Sequence, residues 1–431
     1  MGPFKSNFSL GIFIFIVILI VIDIYAFQAF RYVIRNYSKR AIRRITYLYW
    51  IISLICFSII VLTQLTDWHS WNAYIRTYGL ALLIITIPPK IILDVFVLTD
   101  DVVRFFRWIY IKTSSLFQKT KPEKTVPGST SISRSSFIIK MGLLIGSIPF
   151  FSLIYGMAFN AYKYKIRRLK LVLPDLPESF DGFKIVQISD VHTGSFLNAG
   201  PLTRAVNIIN EQKPDVVFFT GDLVNYKHDE ALPYIGILKK IEAKHGVFSI
   251  FGNHDYGDYY KWKNKEDKEN DILELKKVHS QLGWNLLWDE HHHIELNGEK
   301  ITVIGVQNCS GHGFHSYGSL EKATKGINYS PVNILLSHDP SHWQKEVNKK
   351  YPRIDLTLSG HTHGMQFGVE IPGFKWSPVQ YVYKEWAGLY HENNQYLYVN
   401  RGLGFIGYPG RVGILPEITV IELRNKEILI T

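Results

Sequence analysis

Residues 183–192 read FKIVQISDVH, an apolar run of strand length that ends in Asp190 and His192. The same pattern, a β-branched apolar run followed by Asp, Asn or His, recurs four more times, at 216–222, 247–255, 333–339 and 354–363. Residues 201–212, between the first two runs, place apolar side chains at helical spacing. This alternation predicts an α/β domain, in which the carboxyl ends of the strands bring loop residues to one rim. We therefore expect the polar residues to form a single site.

The polar residues after the strands are of the types that bind divalent transition metals. They are Asp190, His192, Asp222, Asn253, His254, Asp255, His338, Asp339, His361 and His363. Imidazole and carboxylate without thiolate suit Mn²⁺, Fe²⁺ or Zn²⁺. Because the set is too large for one ion, it predicts a pair of ions about 3.5–4 Å apart that share a carboxylate, activate a water and bind a phosphoryl group. The chemistry that follows is hydrolysis of a phosphoester.

The order of these clusters, D-x-H, G-D, G-N-H-D, H and G-H-x-H, resembles that of the calcineurin-like metallophosphoesterase superfamily over residues 181–425. Residues 180–192, 336–340 and 399–404 resemble its membrane-anchored or exported phosphodiesterase branch. Some members of that branch hydrolyse the pyrophosphate of UDP-diacylglucosamine. The resemblance implies an α/β/β/α sandwich over residues 171–431 and a metal-dependent phosphodiesterase or pyrophosphatase activity.

The resemblance also implies a role for each residue of the motifs. One ion would be held by Asp190, His192, Asp222 and His363. The other would be held by Asp222, Asn253, His338 and His361, so that Asp222 bridges the two. His254 would assist the leaving oxygen or the transition-state charge without binding an ion, and Asp255 would orient His254.

Further candidates lie outside the motifs. Arg401, in a Gly-rich turn, could donate to a substrate phosphate, and Arg411 is a second candidate, although both could instead fix loops. Residues 308–319 could cover the site as a flap, with histidines that are not ligands. An apolar rim suited to an acyl chain or the membrane surface, or else core packing, is expected for Phe196, Leu197, Phe374, Trp376, Tyr381, Tyr383 and Trp386.

The basic charge of the chain is confined to its first part. Residues 1–170 carry 22 Lys+Arg against 6 Asp+Glu, whereas residues 171–431 carry 26 against 31. A nucleic-acid-binding catalytic surface would be expected to hold the positive charge itself. We therefore expect no nucleic-acid partner.

Four apolar segments near 8–30, 45–65, 77–98 and 137–159 are long enough to span a bilayer and predict a transmembrane domain over residues 1–165. A cleavable signal peptide is disfavoured for the first segment, because no small-x-small cleavage site follows it. The third segment contains Lys90 and Asp94, which are one helical turn apart and could pair with each other.

The loops predict the orientation of this domain in an inner or plasma membrane. The loop over 31–44 holds six basic residues and no acid, and the loop over 104–134 holds seven basic residues. Since basic loops stay in the cytoplasm, the fourth segment crosses outward and the catalytic domain lies on the periplasmic or extracellular side. Five basic residues within 163–170 favour the opposite side. Residues 114–135 are expected to form a flexible loop.

The sequence thus favours a membrane-anchored two-metal phosphohydrolase that acts on a phosphorylated small molecule or a lipid, for example a lipid-linked or nucleotide-sugar substrate. One alternative is a transporter or sensor with an accessory phosphoesterase domain, which Lys90 and Asp94 would support. Another is a phosphomonoesterase or protein phosphatase.

Overall fold

The computed structural model describes residues 10–117 and 134–426. Residues 8–9 of the first predicted span and most of the predicted loop 114–135 lie outside this range. The chain forms two compact units, which divide between Ile154 and Tyr155.

The described residues of the first unit, 10–117 and 134–154, form four long helices, the last of which continues to Tyr155. They are α1 (Leu10–Ile34), α2 (Lys39–Leu65), α3 (Ala73–Phe117) and α4 (Arg134–Tyr155). Each has a stretch that is long and apolar enough to cross a membrane, which confirms the four predicted segments. Helix α3 is longer than the predicted 77–98, because the charged residues beyond Leu98 support the helix. Asp100 pairs with Arg104 one turn later at 2.6 Å.

Lys90 pairs with Asp23 of α1, so the prediction that it pairs with Asp94 is wrong. Helix α1 packs against α3 through small side chains such as Ala26, which brings Asp23 within reach. Ser53 of α2 donates a hydrogen bond to Asp23 Oδ1 at 2.9 Å. The side chains of Lys90 and Asp23 are only 12% and 8% exposed. This buried ion pair joins three helices and gives the intramembrane charges a structural role.

Up to residue 426, where the description of the chain ends, the second unit is built on two six-stranded sheets and a two-stranded hairpin. In chain order the strands are β1 (Lys165–Val172), β2 (Lys184–Ile188), β3 (Val216–Phe219), β4 (Val247–Ser249), β5 (Asn285–Leu286), β6 (Glu290–Leu296), β7 (Glu299–Gly305), β8 (Asn333–Leu336), β9 (Leu356–Ser359), β10 (Val369–Ile371), β11 (Phe374–Trp376), β12 (Gly388–Glu392), β13 (Gln395–Val399) and β14 (Glu417–Arg424). Its helices are α5 (Gly200–Glu211), α6 (Ile235–Leu238), α7 (Lys265–Leu282), α8 (Leu320–Ala323) and α9 (Asn348–Lys350).

The two sheets pack face to face between helices. The first has the order β1-β14-β2-β3-β4-β5 and the second β12-β13-β9-β8-β7-β6. Between them lies a core to which Phe218 of the first sheet and Leu356 of the second both belong. Helices α5 and α7 cover the outer face of the first sheet through residues such as Leu202 and Leu275, and α8 joins a core on the second through Leu320. The predicted α/β/β/α sandwich is confirmed.

Strand β1 begins at Lys165, before the predicted domain start at 171. It pairs in parallel with β14, with Lys165 opposite Glu417. Its sequence KIRRLKLV has four basic residues, which is why it resembles a charged linker rather than a strand. The strand is nevertheless stable at the sheet edge, because Arg167 Nε lies 3.2 Å from the buried Glu417 Oε2.

Candidate metal centre

The predicted site residues lie in loops that follow strands of both sheets. Strands β2, β3 and β4 of the first sheet end just before Asp190, Asp222 and Asn253, and β8 and β9 of the second end just before His338 and His361. Backbone hydrogen bonds link neighbouring loops within each sheet. Asp190 N–H donates to Gly221 O, and Gly360 N–H donates to His338 O, both at 2.9 Å. The site therefore lies at the rim where the two sheets meet.

Several of the predicted ligands have a left-handed backbone. The φ angle is between 50° and 72° for Asp190, His192, Asp222, His361 and His363. Residues other than glycine rarely adopt this conformation, although Asp and His do so more readily than most. Such conformations cost about 1–3 kcal/mol each and persist where the surrounding structure imposes them, typically at functional sites. The rim thus holds these side chains in orientations that a relaxed turn would not give.

The first group of possible ligands consists of Asp190, His192 and His363, whose donor atoms lie within 4.8 Å of one another. His363 Nε2 lies 3.0 Å from His192 Nε2 and 3.2 Å from Asp190 Oδ1. His192 Nδ1 lies 3.1 Å from Asn225 Oδ1, to which it can donate its proton. Because the outer nitrogen is satisfied in this way, the lone pair on His192 Nε2 is free to bind a cation.

The second group consists of Asp222, His338 and His361. His338 Nδ1–H donates to the carbonyl oxygen of Thr220 at 2.7 Å, which leaves Nε2 as the ligand atom, 3.2 Å from Asp222 Oδ2. Asn253 Oδ1 lies 3.1 Å from His338 Nε2 and 2.7 Å from His361 Nδ1. The amide oxygen predicted as a ligand therefore converges on the same point as the imidazoles.

Asp222 connects the two groups. Its Oδ2 lies 3.2 Å from His338 Nε2 in the second group and 3.6 Å from His192 Nε2 in the first. The donors are carboxylate, amide and imidazole atoms of residues that are buried, apart from the partly buried His361, and the outer nitrogens of His192 and His338 already have partners. This set fits divalent cations of the Mn²⁺, Fe²⁺ or Zn²⁺ type.

The electrostatics of the centre favour binding of a cation. Burial would raise the pKa of Asp222, but His338 and His254 beside it lower that pKa well below its usual value. Burial would lower the pKa of His338, but the carboxylate of Asp222 raises it to about 10. The carboxylate is therefore ionised at neutral pH, and a cation that binds here displaces a proton from His338.

His254 lies beside the two groups and belongs to neither of them. Its Nδ1–H donates to the backbone oxygen of Asn225 at 2.9 Å, and its ring packs against Tyr259 with a centroid distance of 4.3 Å. Its backbone N–H donates to Asp222 Oδ1 at 2.9 Å. These contacts fix the imidazole and leave Nε2 available for a substrate.

The prediction that Asp255 orients His254 is wrong. The carboxylate of Asp255 accepts the backbone N–H groups of Asp222, Leu223 and Gly252, each at 2.8 Å. It belongs to the short helical turn Asn253–Tyr256, and from there it bonds back to the start of that turn and to the loop after β3. Asp255 thus positions Asp222, while a backbone carbonyl orients His254.

The prediction that Arg401 binds a substrate phosphate is also wrong. Arg401 is 2% exposed, and its guanidinium donates to Glu417 Oε2 at 2.6 Å and to Glu370 Oε1 at 2.7 Å. Arg411 is fully buried and donates to the backbone oxygens of Arg401 and His363 at 2.7 and 3.1 Å. Burial lowers the pKa of Arg411 to about 10. Both arginines fix the loops of the site, which was the alternative left open by the sequence.

Three residues contact the candidate ligands but belong to none of the sequence motifs. Asn225 holds His192 and His254, Tyr259 accepts a hydrogen bond from Asn253 Nδ2 at 2.8 Å, and Tyr383 lies 2.8 Å from His361 Nε2 through its hydroxyl. The position of Asn225, three residues after Gly221-Asp222, was an available signal. Tyr383 was expected only as part of an apolar rim or of the core packing.

The proposed flap lies against the centre. Phe314 packs edge-on against the ring of His361 at 4.8 Å, and His312 packs against Tyr383 at 4.9 Å. Among the described residues, the two candidate ligand groups do not include the histidines of this loop.

The fold and the centre together define a class of protein: hydrolases that bind metal between two sheets and act on phosphoric esters. Comparison with known proteins assigns the family. The model "Calcineurin-like phosphoesterase" matches residues 183–365, and "Probable Calcineurin-like phosphoesterase, transmembrane domain" matches residues 8–161.

Curated relatives agree with these matches. The chain is 33% identical over 256 residues to the uncharacterized metallophosphoesterase YkuE of Bacillus subtilis, covering 58% of this chain and 82% of YkuE. It is 30% identical over 286 residues to the transmembrane protein with metallophosphoesterase domain of Danio rerio, covering 63% and 60% of the two chains. The chain belongs to the calcineurin-like metallophosphoesterase family, and it is a metal-dependent phosphoric ester hydrolase with a transmembrane domain.

Proposed function

We propose that this chain uses two divalent cations to cleave a phosphodiester or pyrophosphate bond of a lipid-linked or nucleotide-sugar substrate. The observation that carries the proposal is the position of Asp222 Oδ2, which is close to ligand atoms of both groups. One ion would be held by Asp190, His192, Asp222 and His363, and the other by Asp222, Asn253, His338 and His361. When bound, the ions supply Lewis-acid polarisation of the phosphoryl oxygens and lower the pKa of a bound water.

The protein's own contribution is to orient these groups and to move a proton. His254 is anchored through Nδ1, so its Nε2 is the atom that can donate a proton or a hydrogen bond to the leaving oxygen. Asp255 fixes the loop that carries Asp222. Phe314 covers one side of His361 and helps to exclude water from that side of the centre.

We also propose that the catalytic unit lies on the periplasmic or extracellular side. The basic loops 31–44 and 104–134 support this orientation. The opposing basic residues at 163–170 have less weight, because some of them take part in the folded sheet. Arg167 pairs with Glu417 and Glu370, and Arg168 Nη2 donates to Gln212 Oε1 at 2.6 Å. A carboxyl-terminal alkaline phosphatase fusion is expected to be active, and an inactive fusion with an active cytoplasmic reporter would overturn this orientation.

The proposed reaction can be tested with the full-length chain in detergent, Mn²⁺ and bis(p-nitrophenyl) phosphate. We expect His254→Ala to lower kcat by at least about 100-fold, the usual contribution of a general acid. His391→Ala is the matched control, because His391 is an exposed histidine of β12. Turnover of His254→Ala within a few-fold of the wild type would refute the assignment.

The same preparation separates the alternatives. Preferential hydrolysis of p-nitrophenyl phosphate would indicate a phosphomonoesterase. Loss of turnover in EDTA and its recovery with Mn²⁺ are expected whichever of these phosphoesters the enzyme prefers, because both reactions depend on metal. We do not extend the proposal to transport, because Lys90 has a structural partner in Asp23.

A further inference from the structure

The hairpin formed by β10 and β11 has its two faces reversed relative to an ordinary surface hairpin. Ile371 lies opposite Phe374, Val369 lies opposite Trp376, and Glu370 lies opposite Lys375. Since side chains alternate along a strand, the first two pairs share one face and the third pair occupies the other. Ile371 and Phe374 are 58% and 54% exposed. The apolar face thus points away from the protein.

The charged face of the hairpin is bonded to the body of the unit. Glu370 accepts hydrogen bonds from Arg401, at 2.7 Å, and from Arg167. Lys375 Nζ reaches the backbone oxygen of Ala387 and the hydroxyl of Tyr390. These bonds fix the orientation of the hairpin, so its apolar face cannot turn inward without breaking the ion pairs of Glu370.

The apolar surface continues beyond the hairpin. The turn after β11 exposes Tyr381 and Val382, at 77% and 61%, and Trp376 Nε1–H donates to the Tyr381 hydroxyl at 3.4 Å. An isolated exposed apolar residue is common, but a contiguous patch on a rigid hairpin indicates a binding surface. We define the apolar patch as Val369, Ile371, Phe374, Trp376, Tyr381 and Val382.

The hairpin that carries the patch is connected to Gly156, which lies in the last part of the fourth candidate span. Gly156, directly after α4, accepts a hydrogen bond from Arg411 N–H at 3.2 Å. A Cβ at this glycine would lie 2.7 Å from Val412 Cγ2, so the two segments are in close contact. Val412 in turn bonds to Gln366 and Gly368 at 2.8 Å, and β10 begins one residue later. Gly156 lies within the candidate membrane span 136–160 and belongs to the same compact unit as the hairpin, so within this unit the segment that bonds to the root of the hairpin also contacts a residue of that span.

The patch is also joined to the metal centre. The hairpin begins six residues after the ligand His363. Tyr383, directly after the exposed Val382, places its hydroxyl 2.8 Å from Nε2 of the ligand His361. One continuous segment, 361–383, therefore carries both metal ligands and the patch.

We infer that the apolar patch inserts into the interface of the bilayer in which the chain's own helices are embedded, and that the centre acts on phosphate groups of lipids in that leaflet. Aliphatic and Phe side chains at the tip enter the acyl region, while Trp376 and Tyr381 suit the headgroup level, where amphipathic rings are enriched. The substrate part of this inference rests on the proposed phosphoesterase function, whereas the insertion does not.

The insertion can be tested by fluorescence quenching with the full-length chain in liposomes of phosphatidylethanolamine and phosphatidylglycerol. Ile371→Cys carries a bimane label in the patch, and Leu273→Cys on α7, which is 52% exposed, is the matched control. The native Cys56 and Cys309 are buried. We expect lipids with a spin label on the acyl chain to quench position 371 and iodide to quench position 273. Quenching of the label at position 371 by iodide would overturn the inference. Protection of this label from both quenchers would also overturn it, because it would indicate that a protein partner covers the patch.

The substrate part is tested with hexadecyl and methyl p-nitrophenyl phosphate, which share one scissile bond but differ in membrane anchoring. Phe374→Asp and Ile371→Asp are expected to lower kcat/KM for the hexadecyl ester at least about tenfold and to leave the methyl ester unchanged. Leu273→Asp should leave both unchanged. Equal losses on both esters, or no loss on either, would refute the lipid assignment. If the wild type hydrolyses neither ester, the proposed function fails, and the quenching result still decides the insertion.

Discussion

Replacement of Arg401 by glutamine is expected to destabilise the catalytic unit without weakening substrate binding. The guanidinium donates to Glu417 at 2.6 Å and to Glu370 at 2.7 Å. The Glu417 side chain is 0% exposed, so the substitution leaves a buried carboxylate without its main counter-charge. Removing one partner of a buried ion pair costs about 3–5 kcal/mol.

The remaining partners of Glu417 determine where in that range the loss of unfolding free energy lies. Arg167 Nε stays 3.2 Å away, and the hydroxyls of Tyr398 and Thr419 each donate to Oε1 at 2.6 Å. We therefore expect the lower end, about 3 kcal/mol. This is a large part of the roughly 5–15 kcal/mol by which a domain is stable. Arg401→Lys should lie between the wild type and Arg401→Gln, because one ammonium group does not reproduce the two-ended guanidinium fork.

The assay is urea unfolding of the full-length chain in detergent, followed by tryptophan fluorescence, together with kcat and KM for bis(p-nitrophenyl) phosphate. Arg401→Gln should lower the unfolding midpoint and leave KM unchanged. Lys265→Gln, which removes a solvent-exposed pair with Glu269, should leave the midpoint unchanged. A tenfold rise in KM with an unchanged unfolding midpoint would refute the reasoning and would indicate that Arg401 binds the substrate.

The pH dependence gives a second check on the same variant. Burial raises the pKa of Glu417, but Arg401 and Arg167 lower it below its usual value. In the wild type the stability from this lowered pKa is present above the unfolded-state pKa of about 4.3 and is lost as the pH falls through the folded-state pKa. In Arg401→Gln the Glu417 carboxyl takes up a proton more readily. The difference in unfolding free energy between the two proteins should therefore shrink on acidification.

Three further predictions concern the centre and the membrane unit. Tyr383→Phe removes the hydroxyl beside His361 Nε2 and should weaken Mn²⁺ binding about tenfold, as measured by activating the apoprotein with Mn²⁺. Because Asp222 raises the pKa of His338 to about 10, binding of Mn²⁺ near neutral pH should release a proton, and the affinity for Mn²⁺ should fall as the pH falls. The released proton can be detected by titration calorimetry, since the measured binding enthalpy should then depend on the ionisation enthalpy of the buffer. The same binding enthalpy in all buffers would contradict this prediction. Lys90→Met leaves Asp23 as an unpaired buried charge and should lower the melting temperature in detergent, whereas Lys90→Met combined with Asp23→Asn should recover most of the loss.

The convergence of these side chains on one centre could be predicted because the signals are local. An apolar run and the Asp or His that follows it are both visible within ten residues, and the α/β rule brings the strand ends together. The left-handed backbone at Asp190, His192 and Asp222 could not be predicted in the same way. A non-glycine φ of this sign is imposed by the loops packed around it, and the sequence of one loop does not contain that information.

The partners of charged residues were predicted less well, because a partner is chosen by tertiary packing. Asp255 is adjacent to His254 in sequence, but in a turn with about three residues per repeat successive side chains point roughly 120° apart. Asp255 therefore faces the loop of Asp222. Lys90 and Asp94 satisfied the one-turn spacing for an ion pair, yet Asp23 on the neighbouring helix lies closer to Lys90. Spacing identified which residues were charged and buried, but it did not identify their partners.

The orientation of the β10–β11 hairpin is also set by tertiary packing, and here the orientation bears on function. Alternation of apolar and charged residues over 369–376 predicts that the two faces of the hairpin differ, and an ordinary surface hairpin would turn the apolar face inward. Here the buried Arg401, with Arg167, holds Glu370 on the inner face, so the apolar side chains face outward. A soluble protein would gain from the opposite arrangement, because exposed Ile371 and Phe374 lose the free energy of burial. In the membrane-inserted arrangement that we infer, the bilayer supplies the missing apolar environment, and Arg401 orients the hairpin toward the bilayer instead of binding a substrate phosphate.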